Sequence, residues 1–232
     1  MKTKYNNDSI IGGKNITASY TKNGELLRVM YPFPDFRSWI DEFKTGVKIN
    51  DSGIIYLHED INNQYYTEDT NILHTEITNT YFNLKIKQTD FALLKNSVLV
   101  KKYEFENKNN IELNVNFLVH SKLLTDYNNM VSGEVKNNTL IQYCHDYTMY
   151  TFSNKPFLSY QINNTKENIS SGVIKDKDYI GMSADCSVCY DIGVIKPGEK
   201  KEIYICVLVG ENTNLSDLED EIDRVKRIDF AK

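Results

Sequence analysis

The chain has 232 residues, 41% of them hydrophobic and 12% aromatic, and a formal net charge of −5. That composition supports a core burying roughly 70% of the unfolded surface and argues against extended disorder. Acids outnumber bases, which speaks against a nucleic-acid partner, and no run approaches the roughly 20 apolar residues of a membrane-spanning helix.

In chain order, Met1–Asp8 carries basic residues with no apolar stretch behind them, so it does not read as a secretory leader and the chain reads as cytoplasmic. Asn23-Gly24 stands between the runs Ile16–Tyr20 and Leu26–Tyr31, a hairpin signal of the type I′ kind. Next comes the densest aromatic segment, Tyr31-Pro32-Phe33-Pro34-Asp35-Phe36-Arg37-Ser38-Trp39-Ile40, stiffened by its two prolines. Phe82, Leu84 and Ile86 alternate with polar residues, and Ile111–Phe117 does the same, which is the pattern of strands with one wet face. Val98–Phe105 is β-branched and aromatic enough to join them. Asn107–Asn110, Asn137-Asn138 and Lys196-Pro197-Gly198-Glu199 supply turns.

Many short strands with no helical period between them predict an all-β fold, a large two-sheet antiparallel sandwich over residues 1–213. The period changes once. Leu215, Leu218, Ile222, Val225 and Ile228 line one face of a short C-terminal helix within residues 214–232. Ser216 and Glu219 have capping-box spacing, and acids precede bases along the helix dipole. Such a helix is marginal alone, so its stripe either folds back on the sandwich or leads into a further domain.

Few residues suggest chemistry. Cys186 and Cys189 form a CxxC, but the segment reads as a strand, where residues three apart face opposite ways, and no second ligand pair completes a zinc site. The four cysteines read as reduced structural thiols. His58, His74, His120 and His145 form no metal-ligand pair and read as structural residues in strand-like settings. Asp41-Glu42, Glu59-Asp60 and Glu68-Asp69 are adjacent carboxylates in apparent loops, not a pair placed across a glycosidic bond. No phosphate-binding loop or nucleophile elbow is present, and no cofactor, metal or catalytic residue is expected. Tyr31, Phe33, Asp35, Arg37 and Trp39 are the candidate substrate-binding or domain-docking residues. Their aromatic faces can stack on sugar, plug one end of the sandwich or dock a neighbour, and packing or docking is weighted above sugar contact.

The order Ile11-Gly12-Gly13-Lys14-Asn15-Ile16-Thr17, Asn23-Gly24-Glu25-Leu26, Tyr31-Pro32-Phe33-Pro34, Gly46-Val47-Lys48-Ile49, Tyr190-Asp191-Ile192-Gly193 and Lys196-Pro197-Gly198-Glu199 resembles the start of bacterial glucoamylase-type enzymes, glycoside hydrolase family 15. The resemblance covers essentially the whole chain. It implies an N-terminal β-supersandwich and the start of a linker helix, partnered in the same protein by an (α/α)₆ barrel that holds two catalytic glutamates. On that reading the chain is non-catalytic and orients the barrel, with α-glucan or oligosaccharide as a candidate ligand. Two alternatives are a stand-alone carbohydrate-binding module and the N-terminal domain of a disaccharide phosphorylase.

Overall fold

The computed structural model describes residues 7–34, 38–124, 131–170, 174, 178–179, 182, 185–211, 215–228 and 230. Two antiparallel sheets of eight strands each pack against one another, with strands numbered along the chain. The first sheet runs β1 (Ser9–Gly12), β2 (Thr17–Tyr20), β3 (Leu26–Met30), β4 (Ile40–Ile49), β10 (Leu113–Leu123), β15 (Asp185–Ile195) and β14 (Ser159–Ile162), with β5 (Ile54–Tyr56) beside β4. The second runs β11 (Val131–Lys136), β12 (Thr139–Cys144), β13 (Tyr147–Ser153), β16 (Lys200–Glu211), β9 (Val98–Asn107), β8 (Leu84–Ala92), β7 (Leu73–Asn79) and β6 (Ile61–Tyr66). Two helices, α1 (Thr165–Ser170) and α2 (Leu215–Lys226), complete the described elements with a 3₁₀ turn at Leu57–Glu59.

Period-two alternation builds the core. Leu113, Val115, Phe117 and Val119 of β10 point inward, opposite Leu99, Tyr103 and Phe105 of β9. The Phe117 ring lies 4.6 Å from Tyr103 and 5.7 Å from Phe105, bridging the two layers. Each such side chain removed from water contributes about 1.5–3 kcal/mol.

The turns follow the expected residues, with two exchanges of type. At Asn23-Gly24 only Gly24 has positive φ, +80°, and the Gly24 amide bonds to the Thr21 carbonyl at 3.0 Å. The loop is therefore the three-residue hairpin closed by a left-handed glycine, not the expected type I′ turn, because the Thr21 hydroxyl accepts from the Asn23 and Glu25 amides and widens it. The type I′ geometry occurs instead at Asn137-Asn138, with φ of 50° and 53°. Lys196-Pro197-Gly198-Glu199 forms a turn with proline second and a positive-φ glycine third.

Helix α2 turns its stripe onto the outer face of the second sheet. Ile222, Val225 and Leu218 pack on Val98, Val100, Ile141, Tyr150, Phe152, Cys206 and Leu208. Val98 and Val100 face outward, and the helix is what dries that face. Ile228, expected in the stripe, is 44% exposed, and Phe230 takes its place against Phe91 and Tyr204. The side chains of Leu215 and Ser216, and with them the expected cap, lie outside the described residues. The helix approaches so closely at Gly210 that a Cβ there would meet Leu218 Cδ2 at 2.5 Å. Gly210→Ala should therefore loosen α2 by about 1–3 kcal/mol. Hydrogen exchange should quicken in the α2 amides, while β10 and β15 remain as protected as before.

Candidate functional site

Of the sequence candidates, Tyr31, Phe33 and Trp39 are described; they lie at the end of the sandwich where β4 begins, and they differ in depth. Trp39 is 4% exposed and belongs to the core. Its Nε1 donates to the Tyr31 carbonyl at 3.0 Å, and its ring lies 4.6 Å from that of Tyr147. Tyr31 is half-buried, edge-on to Tyr147 at 6.1 Å, and burial together with nearby Glu211 pushes its hydroxyl pKa up. Phe33, by contrast, is 63% exposed. Asp35 and Arg37 lie outside the described residues. Thus Trp39 and Tyr31 plug the end of the sandwich, and Phe33 is the aromatic face that solvent can reach.

A polar cluster lies beside this end on the outer face of the first sheet, beneath α1. His120 is 2% exposed, with Nδ1 at 3.0 Å from both Ser187 Oγ and Thr165 Oγ1. Thr165 donates from its amide and hydroxyl to Asp185 Oδ2, at 2.8 and 3.1 Å. His120 Nε2 lies 3.9 Å from Glu42 Oε2. Burial would raise the Glu42 pKa, but the ammonium groups of Lys44 and Lys166, at 3.3 and 3.4 Å, bring it below the usual carboxylate range. Asp41, next to it, pairs with Lys122 at 2.9 Å. These two carboxylates therefore sit in strand β4 rather than in a loop, and both are engaged by lysines.

Burial lowers the His120 pKa from 6.5, against the pull of Glu42. The unfolded chain then takes up a proton that the folded one refuses, so stability should fall as pH drops below about 6.5, by at most about 1.4 kcal/mol per pH unit. Urea titrations at pH 5.5 and 7.5, followed by the fluorescence of Trp39, would show it. His120→Gln should flatten that acid limb.

The other histidines are varied in setting. His74 is in β7, His58 in the 3₁₀ turn, and His145 is exposed in the left-handed turn between β12 and β13, with φ of 56°. The last two are not in strands, since the short connections there leave no extended run. Among the described residues no group of His, Cys, Asp and Glu could hold a metal ion.

All four cysteines are buried, and none of them forms a disulfide. Cys186 faces the core and Cys189 the opposite side, against Leu118 and Ile169 beneath α1. Burial pushes the thiols of Cys186 and Cys206 up to about 12 and that of Cys189 to about 11. Thiol reagents at neutral pH should label the native protein far more slowly than the urea-unfolded chain.

The most charged buried group was not anticipated. Lys101 and Asp90 meet between the sheets at 2.6 Å, with side chains 1% and 0% exposed. Gln88 donates to the other Asp90 oxygen at 2.6 Å and to the Gly24 carbonyl at 3.0 Å, and the Lys101 ammonium lies 4.7 Å from the Tyr20 ring. Burial pushes Asp90 up and Lys101 down, each against the attraction of the other. Sealed from solvent, the pair is part of the scaffold. Strand alternation held the signal, because Leu99, Lys101, Tyr103 and Phe105 share one face, as do Leu84, Ile86, Gln88 and Asp90.

No family model matches the sequence, and no curated protein matches it. Solved structures do resemble the fold. A bacterial glucoamylase complexed with acarbose matches with a TM-score of 0.75 at 15% identity, over 97% of this chain and 35% of that one. A candidate kojibiose phosphorylase from the human microbiome matches with a TM-score of 0.65 at 11% identity, over 96% of this chain and 33% of that one. The likeness is one of fold. The chain spans about a third of the length of both enzymes. A candidate aldose 1-epimerase from Escherichia coli K12 matches with a TM-score of 0.60 at 7% identity, over 88% of this chain and 98% of that one. The β-supersandwich expected from the sequence is therefore the observed fold, and it occurs both as a part of larger chains and as nearly a whole one.

Proposed function

We propose that this chain is an accessory β-supersandwich of a glycoside hydrolase-type protein, non-catalytic itself, that docks and orients an (α/α)₆ barrel of the same protein. The carrying observation is the match of nearly the whole chain to about one third of a glucoamylase. The pairing of Asp41 and Glu42 with Lys122, Lys44 and Lys166 fits this, since it ties up that carboxylate pair in ion pairs. The aromatic end bearing Phe33 is the docking surface in this reading, with residues 214–232 leading towards the barrel. Four buried cysteines without a disulfide suit a reducing, cytoplasmic setting. Two measurements test the reading. The purified chain should release no glucose from maltooligosaccharides or isomaltose, and glucose release would sink the non-catalytic assignment. The native polypeptide, captured from its source with an antibody, should carry a barrel. A product of only these 232 residues with no bound barrel would overturn the docking role.

A second reading, favoured by the phosphorylase match, keeps the accessory role and changes the reaction of the barrel to phosphorolysis of a disaccharide. Dependence of the intact protein's activity on inorganic phosphate separates the two.

A further inference from the structure

Helix α2 covers only part of the outer face of the second sheet, the part built on β9, β16, β13 and β12. Where the cover stops, Phe230 stands as a wall, its ring 5.9 Å from Phe91 and 5.3 Å from Tyr204. At the foot of that wall is an open cleft of about 380 Å³, floored by Thr89, Lys102 and Lys87 and flanked by Thr67 and His74. It continues into a second depression of about 250 Å³ that shares Lys87 and Glu104 with it. The size of the first falls within the range of about 300–1,000 Å³ usual for ligand sites.

We infer that this trough is a binding site for a neutral oligosaccharide. Three observations carry that choice. The charges along it balance, with Lys85, Lys87, Lys102 and Lys200 set against Glu76, Glu104, Glu106 and Glu202, so it offers no field to a polyanion. Across the strands Lys87 stands between Glu76 and Glu104, and Lys85 opposite Glu106, so donors and acceptors alternate as a chain of hydroxyl groups requires. His74 aligns two hydroxyls, with Nε2 at 2.7 Å from Thr67 Oγ1 and Nδ1 at 3.0 Å from Thr89 Oγ1. Finally, the half-buried rings of Phe91 and Phe230 give an apolar wall against which the carbon face of a sugar ring can rest. Lys87 makes no ion pair among the described residues, which leaves its ammonium available as a donor in the saddle between the two depressions.

The site lies on the sheet face, away from Tyr31, Phe33 and Trp39, so it adds to the docking role without requiring it. Only the choice of an α-glucan as first probe rests on the proposed function. The test is titration of the ¹⁵N-labelled chain with maltoheptaose and, in parallel, cellohexaose, following amide shifts. Saturating shifts at Thr89, Phe91 and Lys102 are expected, weakened about tenfold by Phe230→Ala and by Lys87→Ala, the worth of roughly one good contact. Thr89→Val, on the sheet itself, checks the site if loss of Phe230 loosens the helix. Response to cellohexaose alone would uphold the trough and count against a glucoamylase-type parent. No shift with either glycan would overturn the inference, as would shifts centred on Phe33 that all three variants leave unchanged.

Discussion

Lys101→Met should lower the stability of this fold by about 3–5 kcal/mol, because it strands the Asp90 carboxylate without its cation between the sheets. In a chain of this length that is a fall in melting temperature of roughly 6–20 °C. The sign of the pH dependence follows from the direction of the Asp90 shift. Burial already raises its pKa, and loss of Lys101 removes the main opposing influence. The penalty is then present above the raised pKa and is relieved as pH falls through it, so the deficit should be smaller at pH 5 than at pH 8. Lys101→Met combined with Asp90→Leu should recover most of the loss, since an apolar pair of similar volume has no charge to desolvate. Gln88 keeps the Gly24 carbonyl as a partner in that variant. Equal losses in the single and double variants, measured by urea unfolding with Trp39 fluorescence, would show that the pair is not acting as a unit.

That pair also marks how far the sequence could be read. Asp90 and Lys101 are direct cross-strand neighbours in the β8–β9 hairpin, so one correct register would have joined them. The reading of Phe82–Ile86 as a strand stopped short of Ala92 and left Gln88 and Asp90 unassigned to a face. Propensity and alternation need only local residues, and so the strands around Val98–Phe105 and Ile111–Phe117 and the stripe of Leu218, Ile222 and Val225 were legible, whereas the start of β4 at Asp41-Glu42 read as a loop. What the stripe covers was not, although Val98-Leu99-Val100 is apolar on both faces and so reports a strand covered on each side. For the aromatic segment, local pattern gives the order of Tyr31, Phe33 and Trp39 along the chain but not their depth. Whether Trp39 points in or out depends on where β4 begins. That start is set by contacts absent from any local pattern, the Met30–Ser38 bridge and the bond from the Trp39 amide to the Val29 carbonyl at 2.8 Å.

The same division between depth and exposure gives the second large effect. Trp39→Ala should cost about 3–5 kcal/mol, the range for truncating a large buried aromatic. It empties the space beside Tyr147, leaves the Tyr31 carbonyl without its Nε1 donor and loosens the end of the sandwich. Trp39→Phe keeps most of the ring and should cost less, chiefly the lost hydrogen bond at about 1 kcal/mol. Circular dichroism must follow both, since each variant lacks the only tryptophan. Phe33→Ala sits at the other extreme, because a ring 63% exposed should change stability by no more than about 0.5 kcal/mol. If Phe33 belongs to a docking surface, its loss should weaken association with the barrel while the melting temperature stays put. Trp39→Phe should then leave association intact, because that ring acts by supporting the loop and touches no partner. A Phe33→Ala protein that melts and associates like the wild type would remove the aromatic end from the docking surface and leave Trp39 as a core residue only.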